Sequence, residues 1–322
     1  MLAVGPNGVG KTNLLESLHV GTQGFSPRTR LDAQLIRFGE TAARIVVAGR
    51  RTDTPFEVSL TLRQGQAKEA RLNGARLPSA DSLRRELATL VFTPDRLAVV
   101  KGGPATRRAY FDRVVARLFP ARAGLPQEYQ SALAQRNAAL RRVQLRLSTA
   151  DVIEPWTERV AHAGAELVVA RRAALESLAA PFAERAGELG LVAAELGYDG
   201  EPPTPAGLES RLQRDIDRGA TGLGPHLDDV LITAAGRDLR QFGSQGEQRL
   251  SVLSLLLAEA ELLPEPPLLL LDDVLSELDL GRRRILAERV ARMGQTVVTA
   301  THAGALPLEP AQLVEVELGS AR

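Results

Sequence analysis

A glycine-rich segment near the amino end of the chain constrains the possible folds more than any other feature. It matches the pattern G-x-x-x-x-G-K-[ST] without a gap and consists of Gly5, Pro6, Asn7, Gly8, Val9, Gly10, Lys11 and Thr12. Residues 2–4 are typical of the end of a strand, and residues 13–18 are typical of a helix. In such a strand-loop-helix unit the backbone N–H groups turn toward phosphate oxygens, and the positive helix end attracts them. The lysine ammonium then contacts the β- and γ-phosphates, and the threonine hydroxyl holds Mg²⁺. The segment therefore predicts a binding site for a nucleoside triphosphate.

The composition is that of a globular protein with a full hydrophobic core. Of the 322 residues, 44% are apolar and 25% are charged. No run of about 18 apolar residues is present that would span a membrane. The chain has no cysteine, which excludes disulfides and thiolate chemistry and is consistent with a reducing compartment. We therefore expect a cytoplasmic protein without a membrane segment.

Several short apolar runs predict strands at both ends of the chain. Residues 45–48 and 56–62 are strand-like, and the second run alternates between apolar and polar residues. An Asn-Gly pair at 73–74 is typical of a tight hairpin. Residues 268–271 are four consecutive leucines, as expected of a strand buried on both faces in a parallel sheet, and residues 295–301 indicate the next strand.

The middle of the chain is mostly helical. Apolar residues recur at helical spacing in the segments 125–147 and 156–178, and the join near residues 148–149 predicts an antiparallel helical hairpin. We therefore predict an α/β head that is split in sequence, formed by residues 1–104 and 219–322. Residues 105–218 would form an inserted, mostly helical arm domain.

Polar residues follow two of the predicted strands of the head. At a strand end beside the phosphate loop, Asp272 can hold Mg²⁺ together with Thr12, and Asp273 can orient the attacking water. Thr301 and His302 end the next strand, where a polar group can sense the γ-phosphate. The alternatives are an ordinary strand-to-loop junction for the acidic pair and a simple surface position for the histidine.

A second helix start could also bind an anion. Ser244 and Gly246 precede an apolar helix, and exposed N–H groups there would attract a phosphate. Because the chain already has one phosphate loop, this second site would suit the γ-phosphate of a nucleotide held by another copy. The alternative is a capping box in which Ser244 and Glu247 satisfy each other's backbone amides.

One segment carries a large excess of positive charge. Residues 101–146 contain ten basic and two acidic residues, whereas the whole protein has a net charge of +1. Such an excess is typical of a surface that binds nucleic-acid phosphates. A solvated, arginine-rich helix is the alternative. The candidate DNA contacts are Lys101, Arg107, Arg108, Arg136, Arg141, Arg142 and Arg146. No aromatic platform for base stacking is evident, so we expect sequence-independent contacts to the DNA backbone.

The order of these motifs resembles a known ATPase architecture. The phosphate loop, the Ser-x-Gly segment, the carboxylate strand, the Ser-Glu-Leu-Asp run at 276–279 and the polar pair at 301–302 resemble the ABC-type ATPase head of transporters, SMC proteins and Rad50. Further segments resemble the RecF family of bacterial recombination mediators, and they cover residues 92–95, 99–102, 107–112, 135–140, 221–229 and 271–279. The resemblance implies an α/β, ABC-type P-loop ATPase head with an inserted helical arm.

The resemblance also implies a function. Members of the family are ATP-dependent homodimers that bind single-stranded, gapped and double-stranded DNA in replication, recombinational repair and the SOS response to DNA damage. Each ATP, with Mg²⁺, would lie between Lys11 of one copy and Ser244 of the other, and slow DNA-dependent hydrolysis would reset the dimer. RecR and RecO would be direct partners, and RecA would be loaded indirectly. The alternative is an ATPase subunit of another ABC-type machine, either SMC-like and nuclease-linked or part of a transporter.

The chain departs from the family pattern at several positions. Leu227 lies where the family usually has arginine, and Glu247 replaces a glutamine. Asp273 is one methylene shorter than the glutamate of transporters, which fits slow hydrolysis. The family has further strands before the phosphate loop, so we expect the missing amino-terminal strands to leave strand edges unpaired and to lower the stability of this form.

Overall fold

The computed structural model describes residues 1–29, 31–51 and 54–321, and the chain divides into two compact units. Residues 1–96 and 263–322 form the first, which we call the phosphate-loop unit, and residues 97–262 form the second, the helical unit. The predicted head and arm have their boundaries at 104/105 and 218/219 instead. That functional division stays a prediction.

The elements follow one another along the chain in three groups. The group before residue 97 consists of β1 (Leu2–Val4), α1 (Lys11–Gln23), β2 (Ala42–Arg51), β3 (Thr54–Arg63), β4 (Glu69–Leu72), β5 (Ala75–Arg76) and β6 (Thr89–Phe92). The helical unit consists of α2 (Ala98–Lys101), α3 (Pro104–Leu118), α4 (Leu125–Gln144), α5 (Glu154–Glu188), β7 (Ala194–Asp199), α6 (Pro205–Glu209), α7 (Leu212–Arg218), β8 (Asp229–Ala234), β9 (Arg237–Asp238), α8 (Leu239–Phe242) and α9 (Gln245–Leu262). The last group consists of β10 (Leu268–Leu271), α10 (Leu280–Val290), β11 (Thr296–Ala300), β12 (Leu313–Glu317) and β13 (Ser320–Ala321).

The central sheet of the phosphate-loop unit has the strand order β13-β12-β1-β11-β10-β6. Its strands are parallel except for β13, which pairs antiparallel with β12. The four leucines of β10 are buried, as a strand covered on both faces requires, and this confirms the predicted parallel strand. Leu15 of α1 packs against this sheet. The parallel order brings the carboxyl ends of β1, β11 and β10 to one edge, where the phosphate loop begins.

An antiparallel sheet with the order β2-β3-β4-β5 completes the phosphate-loop unit. Strands β2 and β3 pair from Ala42 opposite Arg63 to Arg51 opposite Thr54. Apolar side chains of β3 pack against Val20 of α1. Asn73 and Gly74 both have positive φ, 48° and 81°, as a two-residue turn of this hairpin type requires. The predicted hairpin is therefore confirmed.

The helical unit contains the predicted antiparallel hairpin, formed by α4 and α5. Tyr129 and Leu133 of α4 pack against Val160 and Leu167 of α5 in a buried cluster. A three-stranded antiparallel sheet, β7-β8-β9, lies in the same unit. Within the described part of the chain, no helix combines the length and apolar character needed to cross a bilayer.

Candidate functional site

The phosphate loop joins β1 to α1, as the sequence predicts. Gly8 and Gly10 have φ values of 86° and 110°, in the region that glycine adopts without steric penalty, and Gly10 caps α1. A Cβ at Gly5 would lie 2.4 Å from the carbonyl oxygen of Val316, so this position also requires glycine. Lys11 is buried, and its Nζ donates to the carbonyl oxygens of Gly5 at 2.6 Å and Pro6 at 2.8 Å. The loop therefore wraps closely around the lysine ammonium.

The two predicted Mg²⁺ ligands contact each other across the sheet edge. The Thr12 hydroxyl donates to Asp272 Oδ2 at 2.9 Å, and the Asp272 amide donates to the carbonyl oxygen of Phe92 at 2.9 Å. Among the described residues, no cluster of three or more His, Asp or Glu side chains forms a metal site. Mg²⁺ commonly takes only one or two protein oxygens and completes its shell with phosphate oxygens and water. The hydroxyl and carboxylate therefore fit Mg²⁺ beside a bound triphosphate.

Thr299 is a residue of this site that the sequence analysis missed. It is fully buried on β11, and its hydroxyl donates to Asp272 Oδ1 at 2.8 Å while accepting the Asp273 amide at 2.9 Å. The Asp272 carboxylate is thus held on both oxygens, by Thr12 on one and Thr299 on the other. A β-branched threonine is ordinary in a buried strand. Only its place two residues before the predicted Thr301 could have indicated a role.

The remaining predicted catalytic residues lie at the same sheet edge. Asp273 has φ 49° and an exposed side chain, and aspartate is among the few residues that tolerate this left-handed conformation. Thr301 and His302 are exposed just after β11. The Gly5 amide donates to the carbonyl oxygen of Ala300 at 3.3 Å, which ties the phosphate loop to the end of that strand. The structure therefore brings the predicted residues of this unit together, although their chemical roles stay predictions.

The predicted second anion site begins α9, in the helical unit. The Ser244 amide donates to Glu247 Oε2 at 2.8 Å, and the Glu247 amide donates to Ser244 Oγ at 3.2 Å. Hydrogen bonding to the Ser244 amide, and then to the Ser244 side chain, lowers the pKa of the Glu247 carboxyl, and Arg237 lowers it further. The capping-box interpretation is confirmed. Ser244 and Gly246 are exposed, and their contact with a nucleotide of another copy stays a prediction.

The structure contradicts two of the predicted DNA contacts, Arg107 and Arg136. Arg107 is buried, and its Nε and Nη2 donate to the two carboxylate oxygens of Asp229 at 2.7 Å and 2.6 Å. Arg136 is fully buried, and its Nη1 donates to Asp215 and to Thr221, both at 2.8 Å. A guanidinium group enclosed with a carboxylate in this way does not reach a phosphate at the surface. Both arginines stabilise the fold.

The other five candidates are more accessible. Lys101, Arg141, Arg142 and Arg146 are exposed, whereas Arg108 is half-buried and donates to the carbonyl oxygen of Asp228 at 2.5 Å. Burial lowers the pKa of Arg108. Arg117 forms an ion pair with Glu259, so Arg107, Arg117 and Arg136 all pair with acidic residues outside the segment 101–146. The sequence gives this segment a net charge of +8, from ten basic and two acidic residues, but the positive charge available to DNA is smaller.

Segment 221–229, one of the blocks that carry the family resemblance, is anchored by a buried polar network. The carbonyl oxygen of Thr221 only accepts, so His226 donates to it from Nε2 at 3.0 Å, and Nδ1 accepts from the Tyr129 hydroxyl at 2.6 Å. Burial lowers the pKa of His226, which favours this neutral form. Arg171 donates to the carbonyl oxygen of Pro225 at 2.8 Å. These hydrogen bonds therefore hold the loop at residues 221–226 in one conformation.

Comparisons with known proteins agree with this geometry. The family model described as "RecF/RecN/SMC N terminal domain" matches residues 1–318. The DNA replication and repair protein RecF of Heliobacterium modesticaldum is 37% identical over 318 residues, with 93% of this chain and 85% of that protein covered. The protein of the same name from Anaeromyxobacter dehalogenans strain 2CP-C is 40% identical over 325 residues, with 92% and 85% covered.

The chain belongs to the RecF family.

Solved structures extend this result to the fold. A RecF structure described as the recombination mediator with ATP in the RecFOR pathway has a TM-score of 0.88 at 27% identity, covering 100% of this chain and 90% of that one. An Smc head bound to the winged-helix domain of ScpA has a TM-score of 0.59 at 16% identity, covering 100% and 88%. This member of the RecF family therefore has the predicted ABC-type ATPase head fold, with mixed α/β structure and many helices.

Proposed function

We propose that this chain is an ATP-dependent DNA-binding protein of bacterial replication and recombinational repair, which binds DNA as a dimer closed by ATP. One observation carries the proposal. The Asp272 carboxylate, held by Thr12 and Thr299, lies at the same sheet edge as the phosphate loop, with Asp273 next to it. The RecF relatives, one of them solved with ATP, support the choice of nucleotide.

The phosphates of ATP occupy the loop from Gly5 to Thr12. Lys11 exchanges its present acceptors, two loop carbonyl oxygens, for oxygens of the β- and γ-phosphates. Thr12 and Asp272 hold Mg²⁺, which neutralises charge on the phosphate oxygens.

Hydrolysis requires a positioned water, and the exposed Asp273 carboxylate is the group that orients it. Thr301 or His302 contacts the γ-phosphate from the end of β11. An aspartate reaches less far than a glutamate would, so we propose slow, DNA-stimulated hydrolysis that resets the dimer.

The dimer forms when Ser244 and Gly246 of one copy contact the γ-phosphate held by the other. The start of α9 supplies backbone N–H groups and a positive helix end for this contact. Glu247 already accepts the Ser244 amide, so phosphate has to compete with this carboxylate. We propose that the competition keeps the dimer weak unless DNA is also bound.

DNA is bound by the exposed cations Lys101, Arg141, Arg142 and Arg146, with a smaller contribution from Arg108. The substrates are single-stranded gaps and their duplex flanks, and the partners are RecR and RecO, which help to load RecA. Because this work is done on bacterial DNA after damage, we propose a cytoplasmic protein of the SOS response.

Analytical ultracentrifugation with gapped DNA, with and without ATP and Mg²⁺, tests the proposal. The wild type should sediment as a dimer on DNA only with ATP, and Lys11→Met and Ser244→Arg should both stay monomeric. Lys68→Met and Ser177→Arg make the same changes at other sites on their units and should behave as the wild type. A Ser244→Arg variant that still dimerises with ATP would show that the nucleotide does not bridge two copies.

A further inference from the structure

The turn after α4 has an unusual backbone for its sequence. We call residues 141–147 the hairpin tip. The Leu147 amide donates to the carbonyl oxygen of Arg142 at 2.8 Å, and the Arg146 amide donates to that of Val143 at 2.9 Å. This is the hydrogen-bond pattern of a Schellman helix end, in which the left-handed residue is usually glycine. Here it is Arg146, with φ 57°. A strained non-glycine residue suggests that its side chain has a function.

The apolar residues of the tip lie in solvent. In a Schellman end, the residue after the left-handed position commonly packs against the last helical turn. Leu147 occupies that position, yet it is 67% exposed, and Leu145 is 66% exposed. Together they place two leucines on either side of Arg146 at the end of a helical hairpin. The turn therefore presents apolar as well as basic side chains to solvent.

The charge of the tip is uncompensated within its own segment. Arg141, Arg142 and Arg146 are exposed, and no acidic residue occurs between 129 and 150. The acids Asp217 and Asp151 accept hydrogen bonds from Gln213 and Thr149, which carry no charge. The surface therefore matches a polyanion that also offers apolar contact.

We propose that the hairpin tip inserts into the minor groove of duplex DNA and bends it. Arg146 enters the groove, Leu145 and Leu147 wedge against a base step, and Arg141 and Arg142 contact the flanking phosphates. Apolar wedges beside arginines are a common way to kink a duplex, and arginine is attracted by the potential of a narrow minor groove. The inference rests on the proposed DNA binding and specifies how the duplex is held.

The size of the turn favours a groove of DNA over an acidic protein. The tip is a single exposed turn, which suits a groove about 6 Å wide, whereas an amphipathic protein helix needs an apolar groove to dock in. Gln144, the one amide side chain of the tip, is bonded to the carbonyl oxygen of Asp217 at 2.7 Å. It is therefore engaged within the protein, and the tip responds to groove shape without reading base sequence.

The test measures affinity and bending separately on the full chain with ATP and Mg²⁺. A duplex of about 30 base pairs with a fluorophore at each end reports bending by energy transfer and binding by anisotropy. The variants are Arg146→Gly and the double variant Leu145→Ser/Leu147→Ser. Ala235→Gly is the matched control, because Ala235 is also an exposed, left-handed residue, with φ 48°, but carries no charge.

Arg146→Gly should raise the melting temperature, as should Ala235→Gly, because both relieve the same backbone conformation. Only Arg146→Gly should weaken duplex binding, by about tenfold. The double leucine variant should lose most of the bend while keeping the salt dependence of binding.

Wild-type binding without bending would overturn the wedge but leave the proposed function standing. Unchanged affinity and bending in both tip variants would likewise overturn it, because the tip would then not contact the duplex. A wild type that binds no duplex at all would overturn the proposed function together with this inference.

Discussion

At the scale of single residues, the site depends on a carboxylate whose two oxygens are both held. Asp272 accepts from Thr12 and Thr299, which fixes its orientation before any ligand arrives. Thr299 also accepts the Asp273 amide, so one hydroxyl positions both acidic residues. Groups that orient a metal ligand without touching the metal commonly change metal affinity by 10–100-fold, roughly, when they are removed.

Replacing Thr299 should therefore change the Mg²⁺ requirement of nucleotide binding. We expect Thr299→Val to raise the Mg²⁺ concentration needed for half-maximal binding of a fluorescent ATP analogue by about tenfold. Thr299→Ser keeps the hydroxyl and should bind as the wild type. Thr296→Val alters another buried threonine of the same strand, whose hydroxyl bonds the carbonyl oxygen of Val290, and should leave the titration unchanged. Equal titrations for all three variants would show that Thr299 only fills space.

The first glycine of the phosphate loop should tolerate no side chain. A methyl group at Gly5 would lie 2.4 Å from the carbonyl oxygen of Val316, so β12 or the loop has to move. We expect Gly5→Ala to lower the unfolding free energy by about 1–3 kcal/mol. Gly187→Ala, in α5 with no atom near its added Cβ, should instead raise it by about 0.5–1 kcal/mol. Urea unfolding of both variants measures the difference, and equal stabilities would contradict the steric argument.

At the scale of elements, buried arginine–aspartate pairs join segments that lie far apart in sequence. Arg136 of α4 bonds Asp215 of α7, Arg107 of α3 bonds Asp229 of β8, and Arg171 of α5 bonds Asp112 of α3. Removing one partner of such a pair leaves an uncompensated buried charge. The exposed arginines at the end of α4 have no such role. Mutation of a buried arginine should therefore lower stability, whereas mutation of an exposed one should change DNA binding.

Arg136→Met should lower the unfolding free energy by about 3–5 kcal/mol. The double variant Arg136→Met/Asp215→Asn removes both charges and should recover part of that loss. Arg142→Ala should change stability by less than about 0.5 kcal/mol but reduce the salt dependence of DNA binding by about one ion. Denaturant unfolding and DNA titrations over a range of salt concentrations measure both effects. Normal stability of Arg136→Met would contradict the structural role assigned to this arginine.

At the scale of the whole molecule, each unit has its own core and its own part of the proposed site. In the proposed function, the phosphate-loop unit would bind the nucleotide, and the helical unit would contribute Ser244 and the exposed cations. The helical unit also contains the titratable network around His226. Its protonation links the folding of this unit to pH.

The unfolding free energy should fall as the pH drops below about 6.5, the ordinary pKa of histidine. Burial lowers the pKa of His226 in the folded protein, so in this range the unfolded chain binds a proton that the folded chain does not. The contribution of neutral His226 to the unfolding free energy is fully present above pH 6.5, and it declines as the pH falls toward the pKa of His226 in the folded protein. His226→Gln should flatten this part of the profile, whereas His162→Gln, at an exposed position of α5, should not. Urea unfolding over a pH series measures the profile, and an equal slope for His226→Gln would contradict the assignment.

The sequence by itself determined the features that depend on neighbouring residues. The phosphate loop, the leucine strand β10 and the Asn-Gly hairpin each follow from a few adjacent residues, whereas the Ser244–Glu247 cap was one of two interpretations of its segment. The ABC-type head was predicted from a resemblance, because the phosphate loop, the Ser-x-Gly segment and the carboxylate strand occur in the order known from that architecture.

Only the tertiary structure decided which charged and polar groups are available. Arg107 and Asp229 are 122 residues apart, Arg136 and Asp215 are 79 apart, and Thr299 and Asp272 are 27 apart. A count along a segment cannot include partners at such distances, so Arg107 and Arg136 looked like the exposed Arg141 and Arg142. Whether an arginine is buried and paired depends on the tertiary fold. The same guanidinium group pairs with a carboxylate in the protein interior and is free to contact a phosphate at the protein surface.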